Sequence, residues 1–335
     1  MILAATFATA ALLARGSLIE TRFEYTAPHM GTTARLVVYA SNRAQADTGA
    51  RAVFARIAEL EARLSDYRED SELAALDRSA GGPPVVVSRD LFQILSRAQD
   101  MARRSEGAFD VTAGALSRLW RTARRRGELP DPAEIVAARV LVGHSHLELL
   151  PAARRARLDR PGMRLDLGGI AKGYAADEAL RVLRNKRLPR SLVVLGGDVV
   201  AGSPPPGVSG WTVALQTPGP PQAALLLADA AASTSGDAEQ FLEVDGVRYS
   251  HVYDPRTGEA LKGRRSVTVV APEGMDADAL ATAVSVLGPE KGLALVESVP
   301  DAAALIVEEE GGRLRTVSSA RFEALARVNE STTSN

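Results

Sequence analysis

The sequence predicts a mixed α+β fold, and two patterns carry that reading. Helical patterns, with apolar residues at 3.6-residue spacing, come early in the chain, and short apolar runs bounded by Pro, Gly and Asp dominate afterwards. The two kinds of element neither alternate strictly nor segregate fully, which argues against a doubly wound sheet. With 335 residues the chain is long for one domain and short for three, and it can bury a large core.

Residues 1–13 are small and apolar (Ile2, Leu3, Phe7, Leu12, Leu13) but have no basic residue ahead of them, and the run is too short to span a bilayer. Residues 1–24 are therefore set apart as a signal or an N-terminal helix, 25–317 as one domain, and 318–335 as a polar, partly disordered tail. A strand is expected at 33–40. The helix at 44–64 follows from Val53, Ile57, Leu60 and Leu64, and Ser71 caps a short helix through Leu76. Leu91, Leu95, Ala98 and Ala102 form the stripe of a helix at 89–103. The basic run with Arg121, Arg124, Arg125 and Arg126 has no interleaved aromatics and reads as a solvated helix end. Strands are expected at 139–142, 164–167, 191–195, 211–216 and 223–227, with a Pro/Gly-rich loop at 203–210. A strand at 247–253 stops at Asp254-Pro255-Arg256-Thr257-Gly258, where Pro and Gly sit as a turn prefers. A strand at 266–271, helices starting at Asp276 and Pro289, and a strand at 303–307 complete the pattern.

Forty basic and 41 acidic side chains nearly cancel, so no bulk charge draws the chain to nucleic acid or anionic lipid. The sequence has no cysteine, which excludes disulfides, thiolate catalysis, zinc–thiolate sites and attachment through a lipidated cysteine. A metal would have to sit on oxygen or imidazole, and there are four histidines.

The segment Met163 to Asp177 is the most informative. A short apolar run delivers Asp166, Gly168 and Gly169 let backbone approach a ligand, and an Ala-rich helix then begins with Lys172. That build suits a polyphosphate meeting a metal. It is neither a Walker loop, since Gly173 follows Lys172, nor a G-x-G-x-x-G fingerprint. On a helix, Asp278 and Thr282 lie one turn apart on one face, a hard oxygen pair suited to Mg2+. Alone, they read as a helix-start acid and a half-buried polar residue. Strand alternation groups Val247, Tyr249, His251 and Tyr253; His251 offers acid/base chemistry or a phosphate hydrogen bond, although a lone strand histidine is usually structural. His29, His144 and His146 show no ligand spacing. Glu106 to Thr112 forms a glycine turn leading to Asp110. Like Ser65 to Ser71, Leu195 to Asp198 and Ser233 to Asp237, it reads alone as an ordinary connection.

In this order, the segments together resemble the FAD:protein FMN transferase family, the ApbE-type flavin transferases. The resemblance runs through Met30-Gly31-Thr32, Tyr67 to Ser71, Gly107 to Thr112, Asp166 to Asp177, Gly196-Gly197-Asp198, Ser235-Gly236-Asp237, Ser250-His251 with Asp254-Pro255, and Asp278 to Thr282. It implies a T-fold-related architecture of largely antiparallel strands and packed helices, with two lobes around an FAD cleft. The implied activity is covalent flavinylation: Mg2+-dependent transfer of FMN from FAD to a Ser/Thr hydroxyl of an acceptor flavoprotein, with release of AMP. By the same resemblance the metal is held by the Gly169 carbonyl, Asp278 and Thr282. Met30, Tyr67, Ala108, Phe109, Asp110, Asp166, Lys172 and Val252 contact the flavin nucleotide, with Met30, Tyr67 and Phe109 as apolar or stacking partners. His251 lies near the reacting diphosphate and, with Asp278, forms the catalytic pair. The alternatives are a Mg2+-dependent FAD pyrophosphatase and a non-catalytic FAD-binding protein. An exported location on the periplasmic side of the inner membrane, with association through the N-terminus, goes with the first residues if they are a signal; otherwise the protein is cytoplasmic.

Overall fold

The computed structural model describes residues 20–215, 223–236, 241–310, 313–325 and 327–329. Strands β1 (Thr21–His29) and β2 (Thr32–Ala40) lead into α1 (Arg43–Leu64) and α2 (Glu72–Arg78). Next come β3 (Val85–Val86), α3 (Arg89–Arg104), α4 (Gly114–Arg126), α5 (Pro132–Arg139), β4 (Leu147–Leu150), β5 (Arg155–Leu158) and α6 (Ala171–Asn185). The middle of the chain is β6 (Ser191–Leu195), β7 (Asp198–Ala201), β8 (Trp211–Ala214), β9 (Ala223–Leu227) and β10 (Ala230–Gly236). It continues through β11 (Phe241–Val244), β12 (Val247–Tyr253), β13 (Ala260–Lys262) and β14 (Arg265–Ala271). The last elements are α7 (Gly274–Glu297), β15 (Ala303–Glu310), β16 (Arg313–Ser318), α8 (Ala320–Glu323) and β17 (Arg327–Asn329).

Eight strands form the central sheet in the order β1-β2-β6-β7-β10-β14-β15-β16, and every pairing in it is antiparallel. Its central strands are apolar on both faces. Leu36, Val38, Val193, Val267, Val269 and Ile306 point to one side, where they pack under α1, α3, α6 and α7. Val37, Leu192, Val270, Leu305 and Val307 point to the other, under Trp211, Leu225, Leu227 and Phe322. The small sheet β17-β9-β8 and α8 supply that second cover. A third core around Trp120, Ala123, Leu242 and Ala260 joins α4 to the sheet β11-β12-β13. The mixed α+β architecture with antiparallel sheets is the one expected.

Several elements differ from the sequence expectation. No strand forms at 139–142, which is the end of α5 and the turn after it. The helix is nucleated by Pro132 at its first turn and by a reciprocal capping box between Asp131 and Glu134. The run 164–167 makes only an isolated parallel bridge, Ala113 with Arg164, because it serves as an extended lead into the Asp166 loop. The helices expected from Asp276 and Pro289 both form: α7 is two helical pieces divided at Gly288, whose φ of 76° and ψ of −177° are non-helical, and Pro289 opens the second. Residues 1–19 lie outside the described residues, and β1 begins at Thr21, within the segment set apart as a signal or N-terminal helix. The expected tail opens with α8 and β17, held by the fully buried Phe322 ring. The strand at 211–216 ends at Ala214, and Gln216 lies outside the described residues.

Candidate active site

The loops at one rim of the central sheet meet the first turns of α6 and α7. Asp166 is fixed by its own backbone, whose N–H donates to the Val111 carbonyl at 2.8 Å, and its Oδ1 accepts from the Gly168 N–H at 2.7 Å. This Asx turn presses the next peptide onto α7: a Cβ at Gly169 would lie 2.7 Å from Thr282 Oγ1. One helical turn away, Asp278 is only 4% exposed, and its Oδ2 accepts from the Gly173 N–H at 3.1 Å. Asp177 reaches back from α6 to accept the Gly274 and Met275 N–H groups at 2.7 and 2.9 Å, anchoring the start of α7.

Lys172 Nζ sits 2.5 Å from Asp198 Oδ2 and 4.0 Å from Asp278 Oδ1, and Ser233 Oγ donates to Asp198 Oδ1 at 2.6 Å. Burial, then the neighbouring Asp198 charge, pushes the Asp278 carboxyl up to about 7. Burial alone would lower the Lys172 ammonium, but Asp278 and Asp198 outweigh it and hold the group above its ordinary value. Gly169, Lys172, Asp278 and Thr282 therefore come together as expected. Asp198 belongs to the same corner; its signal, an acid opening a strand after Gly196-Gly197, reads alone as a turn. Among the described residues there is no cluster of three or more His, Cys, Asp and Glu side chains able to hold a metal. The donor set that the resemblance implies is instead one carboxylate, one hydroxyl and one peptide carbonyl. All three are hard oxygens, and they fit Mg2+ when water and substrate phosphate complete its shell.

A second cluster lies beyond Asp166. Tyr67 is 77% exposed, with the Arg121 guanidinium 4.5 Å from its ring centroid. Arg121 Nη2 donates to Asp166 Oδ2 at 2.8 Å, and Nη1 donates to Asp66. Burial, then the Asp166 charge, raises the Asp66 carboxyl. The Tyr253 hydroxyl donates to the Ala113 carbonyl at 3.1 Å and shares a 2.5 Å hydrogen bond with Ser117, tying β12 to α4. Asp110 Oδ1 accepts from the Thr112 N–H and hydroxyl at 2.8 and 2.7 Å, and burial raises its pKa. Arg121 thus departs from the solvated helix end expected of its basic run, its side chain being 22% exposed and paired with two carboxylates. The available signal was spacing: Ser117, Trp120, Arg121 and Arg124 share one helical face, whereas Arg125 and Arg126 are exposed.

The other expected residues fall as follows. Met30 and Gly31, at φ of 51° and 72°, form the two-residue turn between β1 and β2. The turn at Gly196 abuts Thr32 beside it, so both turns crowd the same rim. Ala108 and Phe109 are buried, Phe109 at 4% exposure among the core side chains. His251 and Val252 are half-buried on β12, where the register against β13 shifts between Tyr249 and Tyr253. Asp237 lies outside the described residues. His29 stacks on Phe54, and His146 faces Asp159 at 3.1 Å. A cavity of about 320 Å³ between α4 and α5, lined by Arg118, Thr122 and Glu134, contains none of the expected site residues.

Fold and corner together define an α+β protein of the flavin-transferase type. The flavin transferase ApbE from Vibrio cholerae superposes with a TM-score of 0.84 at 29% identity, covering 92% of this chain and 100% of that one. The apo flavinyl transferase ApbE from Pseudomonas stutzeri gives 0.81 at 32% identity, covering 91% and 97%. The FAD:protein FMN transferase of Treponema pallidum is 37% identical over 297 residues, 83% of this chain and 82% of that protein. One from Klebsiella pneumoniae is 33% identical over 290 residues, 85% of this chain and 89% of that protein. The model of the ApbE family matches residues 30–306, and the chain belongs to that family.

Proposed function

We propose that this protein is a Mg2+-dependent FAD:protein FMN transferase that attaches FMN to a Ser or Thr hydroxyl of an acceptor flavoprotein. The observation that carries this is the meeting of the Gly169 peptide with Thr282, beside Asp278 and Lys172. Attack on phosphorus needs diphosphate charge neutralised and the reacting groups held in line. Bound Mg2+ would supply a Lewis acid at the Gly169 carbonyl, Asp278 and Thr282. Lys172, fixed by Asp198, contributes a second positive charge on the same side. The acceptor oxygen forms a bond to the FMN phosphorus as the bond to the bridging oxygen breaks; AMP leaves with that oxygen, and the hydroxyl proton passes to a base. His251 is our assignment for that base. Tyr67 and Asp166 bind the nucleotide, and Tyr67 stacks on one of its rings.

The test is intact-mass analysis of a Thr-containing acceptor domain incubated with this protein, FAD and Mg2+. A gain equal to an FMN phosphoester, abolished by EDTA, is expected. Free FMN and AMP without modified acceptor would replace the reading with a pyrophosphatase, and intact FAD bound without turnover would replace it with a binding protein. We also propose an exported location, supported by the apolar run at residues 2–13. Cell fractionation is expected to find the protein on the periplasmic side; recovery from the cytosol alone would sink that part.

A further inference from the structure

We infer that Arg121 is a positioning residue: it joins the Tyr67 ring to the Asp166 loop, so that the ring-binding face and the phosphate corner keep a fixed spacing. This rests on the proposed function, since it concerns how one extended nucleotide spans both places.

The Arg121 side chain is only 22% exposed and is engaged on three sides. Its two terminal nitrogens donate to different carboxylates, Asp66 and Asp166, and its guanidinium carbon lies over the Tyr67 ring, 4.5 Å from the centroid. A guanidinium held by a fork on two acids has no free rotation left, whereas a lysine would reach only one of them. Tyr67 lies in the connection between α1 and α2, and no side-chain hydrogen bond of its phenol is seen among the described residues; its 77% exposure leaves the ring otherwise free. The cation beneath it is what gives the ring a set orientation. The connection then runs onward without a gap. Asp166 Oδ2 takes Arg121, its Oδ1 takes the Gly168 N–H, and the following peptide at Gly169 packs on Thr282. Tyr67 and Thr282 are thus the two ends of one hydrogen-bonded and packed series. A ligand carrying a planar ring and a diphosphate meets both ends, and affinity depends on their spacing being set before it arrives.

The experiment is a double-mutant cycle on FAD affinity, read by quenching of flavin fluorescence with Mg2+ present, using wild type, Arg121→Gln, Tyr67→Ala and the double variant. Arg121→Gln is expected to weaken FAD binding about tenfold in the wild-type background and far less in the Tyr67→Ala background, since the arginine acts through the ring. Arg121→Lys keeps the charge but not the fork, and is expected to weaken binding almost as much as Gln. Thermal unfolding confirms that each variant is folded, and Lys replaces Gln in the cycle if Gln is not. The same fold-change in both backgrounds, no change in either, or full rescue by Lys overturns the inference. A wild type that binds no FAD instead overturns the functional proposal on which it rests.

Discussion

Asp278 is a buried acid whose carboxyl is raised rather than lowered, so its charge costs the fold stability. Asp278→Ala relieves that cost but takes a neighbouring charge from Lys172 and the acceptor from the Gly173 N–H, so the unfolding temperature is expected to change little. Transfer should fall on the order of a hundredfold or more, with part of the FAD affinity kept through Tyr67 and Asp166. Acceptor mass analysis, fluorescence titration and thermal unfolding separate the three effects; full transfer activity would remove the metal assignment. Asp77 shows the same imbalance outside the catalytic groups. Burial pushes it up to about 7, although its Oδ1 accepts from the Leu165 N–H at 2.9 Å. Between the ordinary aspartate value of 3.8 and about 7, the folded chain holds a proton that the unfolded chain has released. Stability therefore falls as pH rises through that window, and levels off above it. Asp77→Asn keeps the acceptor and removes the ionisation. Its unfolding temperature is expected to exceed the wild type's at pH 8 and to match it near pH 3; an equal shift at both would mean that packing, not charge, is responsible. At this scale the sequence exposed the residues that act through local motifs, such as Gly169, Lys172 and the Asp278/Thr282 pair. It hid the roles of Asp66 and Arg121, which come from partners far along the chain, and marked Asp198 only as part of a turn motif.

Helices α6 and α7 hold the phosphate corner by crossing at backbone contact. A Cβ at Gly173 would overlap the Gly274 carbonyl oxygen and lie 2.9 Å from Asp278 Cβ. Backbone cannot swing aside as a side-chain tip does, so Gly173→Ala must spread the two helices. The expected cost is about 1–3 kcal/mol in denaturant unfolding, with a loss of transfer larger than the loss of folded protein explains. Unchanged stability and activity would show that the crossing has slack. Elements with a single buried stripe, such as α1 and α3, were legible because their spacing alone defines a face. The start of α5 was also legible, in Asp131, Pro132 and Glu134, but went unread. Strand β10 was not: Ala-Ala-Ala-Ser-Thr-Ser-Gly carries little strand propensity and is extended because β7 and β14 flank it.

At the scale of the molecule, the central sheet needs cover on both faces, and its two covers are built differently. The face under α1, α3, α6 and α7 is announced by long helical segments, among them the single apolar stripes of α1 and α3. The opposite face is covered by β8 and β9, expected as strands, and by β17 and α8, which lie about a hundred residues further on and which nothing local marks as core. Phe322 anchors the opening of the segment expected as a partly disordered tail: it is fully buried, in a helix of four residues whose N-cap Ser319 accepts from the Phe322 N–H. A helix that short is not stable on its own propensity, so the ring holds it in place as much as the helix presents the ring. Phe322→Ala should therefore cost about 3–5 kcal/mol, and truncation before Ser319 at least as much, because the second core opens to water. The corner proposed to bind phosphate is built by α6 and α7 on the other face. The folded fraction of Phe322→Ala is thus expected to transfer FMN at the wild-type rate per molecule, with the loss confined to its unfolding temperature. A variant that keeps its stability would make the segment dispensable. One that stays folded but loses transfer would instead show that the two faces of the sheet are coupled through it.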